Sequence, residues 1–224
     1  MTPFYPVDIV IFDCDSTLTA IEGIDELARR AGAYDQLAPL TLAAMEGKIK
    51  LEEIYKRRLD LIKPSLADVE WLGQRYIEAK ISDVGSVIDA LHQAGKQIHI
   101  VSGGIRQAVL ILAEHLNIPG QHVHAVDIRF TAQYEYDGFD ETSPLASSGG
   151  KKTVCCNIIG DKLTAVMIGD GMTDMEAAQD HIQFIGFGGV VRRPAVETAT
   201  PDYISSPALI PLLQRLVTGY RSIV

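Results

Sequence analysis

Two carboxylates stand two residues apart in Asp13-Cys14-Asp15-Ser16-Thr17, directly after the apolar run at residues 7–12 (VDIVIF). At a strand end, such a pair can divide three jobs. One group attacks phosphorus, the other trades a proton with the leaving oxygen, and both help to hold a hard cation. The same letters also suit an Asp-rich turn in which Ser16 or Thr17 caps the next helix. A second acidic segment, Gly169-Asp170-Gly171-Met172-Thr173-Asp174, follows another apolar run. Its glycines allow a tight turn beside a ligand, while Asp170 and Asp174 add the oxygen donors that magnesium prefers. A glycine-rich turn with an aspartate near a helix start is the competing reading.

Two further segments suit an anionic ligand. Ser102-Gly103-Gly104 offers a hydroxyl followed by backbone N–H groups at a helix start, which makes a phosphate cradle or, more simply, a serine-capped turn. Lys151 follows Ser147-Ser148-Gly149-Gly150. Metal aspartates and a phosphate together carry more negative charge than one divalent ion neutralises, so a protein cation is needed, with Lys151 the candidate and Lys152 its neighbour. Competing motifs fail. Gly149-Gly150-Lys151-Lys152-Thr153 lacks the order of a nucleotide-binding P-loop, Gly186-Phe187-Gly188-Gly189 is no dinucleotide fingerprint, and the histidines lack zinc spacing.

These turns must be positioned by a sheet. Residues 7–12, 97–101 (QIHIV) and 165–168 (AVMI) are short, nearly continuous apolar runs, as expected of strands buried on both faces, with 183–187 (QFIGF) a weaker fourth. Helical patterns follow at 84–91, 105–116 and 173–179. Strands alternating with helices predict an α/β fold, a doubly wound and mostly parallel sheet, with ligands at the carboxyl ends of its strands. Residues 19–80 contain no strand pattern but four helical ones, at 22–31, 34–45, 51–62 and 65–79. They read as an inserted helical-bundle cap on a Rossmann-like core of residues 1–18 and 81–224. Alternation over 122–136, approaching Asp137-Gly138, predicts an antiparallel β excursion.

Composition narrows the partners. The chain has 224 residues and a formal charge of −9, which disfavours nucleic acid and anionic membranes but not a small anion in a local cationic cleft. Cys14, Cys155 and Cys156 form neither a disulfide framework nor a CxxC site, which fits a reducing compartment. The opening MTPFYPVDIVIFD lacks the basic stretch and cleavage site of a secretory leader, and no apolar run nears the ~18 residues of a membrane helix. A cytoplasmic protein is expected, with monomer and homodimer equally open.

Taken in order, the DxDST, SGG, Lys and GDGxTD segments resemble the haloacid dehalogenase superfamily of phosphohydrolases. Longer strings resemble its phosphoserine phosphatase branch: Glu22-Gly23-Ile24-Asp25-Glu26-Leu27-Ala28 and Arg58-Leu59-Asp60-Leu61-Ile62 in the cap and, in the animal-type form, Phe139-Asp140-Glu141-Thr142 in the core. The resemblance implies hydrolysis of L-phosphoserine, the last step of serine biosynthesis. Asp13 would be the nucleophile and Asp15 the general acid and base. Mg2+ would sit on Asp13, the Asp15 carbonyl and Asp170, with Asp174 in support. Ser102, Gly103, Gly104, Lys151 and Thr173 would hold phosphate, Glu22 the substrate ammonium, Arg58 its carboxylate, and Met45 would border its carbons. Glu22 favouring a helix dipole and Arg58 lying in solvent are the plainer alternatives. Leu51, Glu46 and Asp83-Val84 depart from the branch, where phenylalanine, glycine and Pro-Gly are frequent. Other expectations are a related enzyme for phosphoethanolamine, phosphohomoserine or a sugar phosphate, and a non-catalytic phospholigand module.

Overall fold

The computed structural model describes residues 3–45, 49–160 and 163–220. Strand β1 (Ile9–Phe12) leads into four helices, α1 (Gly23–Arg30), α2 (Tyr34–Met45), α3 (Leu51–Ile62) and α4 (Leu66–Glu78). Then follow α5 (Val84–Gln93), β2 (Gln97–Ile105), α6 (Arg106–His115), β3 (Val123–Val126), β4 (Ile128–Phe130), β5 (Tyr136–Phe139) and α7 (Gly150–Ile159). The last elements are β6 (Ala165–Gly169), α8 (Met172–Met175), β7 (Ile182–Phe187), α9 (Pro194–Ala199), β8 (Tyr203–Ile204) and α10 (Leu213–Leu216).

The six-stranded sheet runs β3-β2-β1-β6-β7-β8, and every pair in it is parallel. All four residues of β1 and all five of β6 are buried, as strands covered on both faces require. The chain winds outward from β1 through β2 and β3, then returns to the other side of β1 at β6. This reversal opens a crevice at the carboxyl ends of β1 and β6. The register places Phe12 opposite Ile100 on one side and Ile168 on the other. Asp13, the Ser102-Gly103-Gly104 segment and the Asp170 turn therefore lie at one level.

Helices α1–α4 leave and rejoin the sheet layer at one neck. Thr19 and Lys80 form an antiparallel bridge, the Ala20 N–H donates to Ala79 O (2.8 Å), and the Ile81 N–H donates to Leu18 O (2.9 Å). Ser65 and Asp68 form a reciprocal capping box that starts α4. Helix α4 packs along α6, so closely that a Cβ on Gly73 would lie 2.5 Å from the Ile111 side chain.

The structure departs from the sequence pattern in three places. Strand β2 continues through Ser102-Gly103-Gly104 to Ile105, with a register slip against β3 where the glycines fall. The alternating stretch is split. Val123–Val126 joins the parallel sheet, and only β4 and β5 form the antiparallel hairpin. Its turn lies at Thr131 and Tyr134 rather than at Asp137-Gly138, since the Tyr134 N–H donates to Thr131 O (2.9 Å). Gly138 sits inside β5 at φ +95°, where the Arg129 guanidinium occupies the space a side chain would need. Finally, α8 stops at Met175, well short of residue 179. Asp83, which stands where Pro-Gly was expected, accepts the Leu209 and Ile210 N–H groups (3.0 and 2.7 Å) and ties α5 to the C-terminal segment.

Candidate active site

The crevice deepens into a cavity of about 350 Å³ beneath α3. Asp13, Asp15, Glu22, Arg58, Ser102, Gly103, Gly104, Lys151, Asp170, Thr173 and Asp174 all line it. Sequence reading therefore brought together residues from both ends of the chain. Met45 closes α2, but its side chain, that of Leu51 and all of Glu46 lie outside the described residues.

Asp13 is buried at the floor. Lys151, at the start of α7, places Nζ 2.7 Å from Asp13 Oδ1 and 2.5 Å from Asp174 Oδ1. Lys152 is exposed. The Asp174 carboxylate also accepts the Gly171 N–H (3.0 Å) and packs where Gly169 would carry a Cβ, 2.2 Å from Asp174 Cγ. Only glycine fits there, which explains the first letter of the GDG turn. Oxygens of Asp13, Asp170 and Asp174 lie within 4.8 Å of one another. Burial first, and then the charge of Asp174, push the Asp13 carboxyl well above the ordinary range, against the pull of Lys151. Asp170 is pushed up to about 6 by burial and by Asp174, with Arg193 opposing. For Lys151, burial works against the charge, yet Asp13 and Asp174 outweigh it and hold it protonated. Three carboxylates forced together in a dry site are unstable as anions without a further cation. Among the described residues, six carboxylates and four cations line the cavity. A divalent ion fits that deficit and the all-oxygen donors.

Asp15 turns away from this cluster. Its Oδ1 accepts the Gly23 N–H (3.1 Å), and burial raises its carboxyl above the usual range. Neither hydroxyl of the turn caps a helix. Ser16, at φ +54°, donates to Glu22 Oε1 (2.8 Å), and Thr17 Oγ1 is buried without a partner. Glu22 occupies the N-cap position of α1 but makes no capping bond, because its side chain enters the cavity. Burial, then Asp15 and Asp170, raise its carboxyl well above normal.

Arg58 faces the cavity from α3 and is only 8% exposed, unlike its exposed neighbours Lys56 and Arg57. Its guanidinium lies 5.5 Å above the Tyr55 ring, its Nε has no hydrogen-bond partner, and burial lowers its pKa. Ser102 Oγ accepts the Gly104 N–H (3.0 Å), and Thr173 stands exposed at the rim.

Sequence reading missed three groups. Arg193 Nε lies 2.6 Å from Asp170 Oδ2 and its second amino nitrogen 3.7 Å from Glu22. Tyr76 buries its hydroxyl beside Asp15, and Tyr55 joins α3 to Gly103. Only Tyr55 left a signal, one helical turn before Arg58 on the same face.

The parallel sheet, the switch-point crevice and the paired strand-end aspartates define a class of phosphoryl-processing fold. The chain belongs to the haloacid dehalogenase-like hydrolases, whose family model it matches over residues 7–181. Within that family it is similar to the phosphoserine phosphatase of Homo sapiens, 40% identical over 205 residues that cover 90% of this chain and 91% of that one. A substrate-bound phosphoserine phosphatase complex superposes with a TM-score of 0.77 at 25% identity, covering 94% of this chain and 98% of the other. A phospho-aspartyl intermediate analogue of phosphoserine phosphatase gives a TM-score of 0.73 at 25% identity, covering 94% and 99%. No helix among the described residues is long and apolar enough to cross a membrane.

Proposed function

We propose that this protein hydrolyses L-phosphoserine to L-serine and phosphate through an aspartyl-phosphate on Asp13. The observation that carries the reading is one cavity holding both a nucleophile set and a zwitterion set. Asp13 lies against Lys151 at its floor, while Glu22 and the buried Arg58 line its walls. A free amino acid presents an ammonium and a carboxylate, so its pocket needs one anion and one cation.

Residues 19–80 act as the cap and the remainder as the core. An oxygen of Asp13 attacks phosphorus as the bond to the serine oxygen breaks, and Asp15 gives that oxygen a proton. The raised Asp15 carboxyl suits an acid. Asp15 then takes a proton from the water that cleaves the aspartyl-phosphate, regenerating Asp13. Lys151 stabilises the phosphoryl oxygens, with Ser102, Gly103, Gly104 and Thr173 as the remaining phosphate contacts. Asp13, the Asp15 carbonyl and Asp170, supported by Asp174, would hold Mg2+, which supplies Lewis-acid neutralisation of the transferring oxygens. The free thiols Cys14, Cys155 and Cys156 suit a reducing cytoplasm.

The test is phosphate release, with Mg2+ and with chelator, from L-phosphoserine beside phosphoethanolamine and a sugar phosphate. Magnesium-dependent preference for L-phosphoserine is expected. Preference for another compound would keep the Asp13 chemistry and overturn the substrate, and stoichiometric binding without turnover would overturn both.

A further inference from the structure

Helix α3 stands over the cavity, and among the described residues three of its side chains bond polar groups of the core. Glu52 accepts the Ser148 N–H and hydroxyl (3.0 and 2.9 Å), and Lys56 lies 3.3 Å from Glu141. Both are exposed contacts, and such pairs hold little against water and salt. The third is different. Tyr55 is 5% exposed, and its hydroxyl donates to the Gly103 carbonyl at 2.9 Å.

Two details give that bond a consequence. The Gly103 carbonyl and the Gly104 N–H belong to one planar peptide and point in opposite directions. The Gly104 N–H reaches Ser102 Oγ (3.0 Å), so a donor on the Gly103 carbonyl fixes the orientation of both groups at the phosphate end. The other side of Tyr55 serves the opposite end of the cavity. Its ring lies 5.1 Å from the Phe139 ring and carries the Arg58 guanidinium 5.5 Å from its centre. With α4 packed along α6, the cap is anchored there, and α3 carries the contacts across the cavity.

We infer that Tyr55 is a positioning residue that couples the two ends of the substrate site. Its hydroxyl latches α3 onto the phosphate-cradling peptide, and its ring supports the guanidinium that meets the carboxylate. The coupling rests on the phosphoserine reading, whereas the latch itself does not.

The experiment compares Tyr55→Phe and Tyr55→Ala with the parent protein in two ways. Hydrogen–deuterium exchange of the substrate-free protein reads the latch. Tyr55→Phe is expected to speed exchange across α3 by roughly 2–12-fold, the factor of one neutral hydrogen bond, and to leave β1 and β6 unchanged. Steady-state kinetics with Mg2+ then read the coupling. Tyr55→Phe should lower kcat/KM by that same factor for L-phosphoserine and phosphoethanolamine alike. Tyr55→Ala should add a loss confined to L-phosphoserine, because only that substrate has a carboxylate for Arg58. Unchanged α3 exchange with parental kinetics in Tyr55→Phe overturns the latch. A Tyr55→Ala loss equal on both substrates overturns the coupling. A parent protein inactive on L-phosphoserine defeats the functional reading instead, and the exchange comparison still upholds or overturns the latch.

Discussion

Arg58→Met separates a recognition residue from a structural one, because the two roles push stability and activity in different directions. Arg58 is buried, its Nε is without a partner, and no ion pair joins it to a carboxylate among the described residues. Its desolvation is therefore poorly compensated in the free protein, and its lowered pKa records that. Methionine keeps much of the apolar stem and removes the charge. The gain is set against loss of the Tyr55 ring contact, about 0.5–1 kcal/mol. The net change should be between zero and about 1 kcal/mol in favour of the variant, or a Tm rise of up to about 4 °C for a chain of this size. Activity should move the other way. Truncating one partner of a buried charge pair costs about 2–5 kcal/mol, so kcat/KM for L-phosphoserine should fall roughly 30- to 5,000-fold. Phosphoethanolamine has no carboxylate and should change less than about 3-fold, within ~0.65 kcal/mol. Differential scanning calorimetry and phosphate release on both substrates make the assay. A lowered Tm together with equal losses on both substrates would refute the reasoning and make Arg58 a packing residue.

Glu22→Gln should weaken L-phosphoserine turnover by about 10-fold or more while a generic aryl phosphate stays within about 3-fold, since only the former presents an ammonium; one buried charged hydrogen bond sets that scale. Equal losses on both would contradict a specificity role. Metal-free protein should carry a pH signature. A carboxyl raised on folding stabilises the fold fully below its unfolded value, and this is lost as pH rises through the folded one, here about 6 for Asp170. Chelator-treated protein should therefore melt lower at about pH 7.5 than at about pH 5, Mg2+ should narrow the gap, and Asp170→Asn should shrink it; a gap unaltered by either contradicts the cause. Away from the cavity, Arg215 binds the buried Asp202 at 2.9 Å. Arg215→Ala should cost about 3–5 kcal/mol, a Tm drop of roughly 6–20 °C, with activity per folded molecule unchanged. A drop under about 2 °C would show the pair is compensated.

Which parts of the site were legible depends on how their chemistry is encoded. Asp13 and Asp170 directly follow buried strands and Ser102 lies where the apolar run of β2 gives way to glycines, so a short apolar run and the polar residues after it fix their position within a few residues. The register of a parallel sheet then aligns the turns without further information. Arg58 was readable through its surrounding string, although not its burial, which depends on the height of α3 above the cavity. Arg193 was not readable. It follows β7 beside Arg192, which is exposed and bound to Glu197 at 2.5 Å, and nothing local separates the two arginines. The excursion at 122–136 misled for a related reason. Alternation marks a half-buried strand but does not name its partner, and the first segment found a free edge at β2 before the hairpin began. The contacts of α3 are the least legible of all. They join α3 to residues about 50 to 100 positions away in the chain, and nothing in the helix sequence names those partners. The chemistry of this fold is thus written in strand ends, where local sequence determines geometry. Selectivity, on the function proposed, is written on a helix face, where it must be tested by substitution.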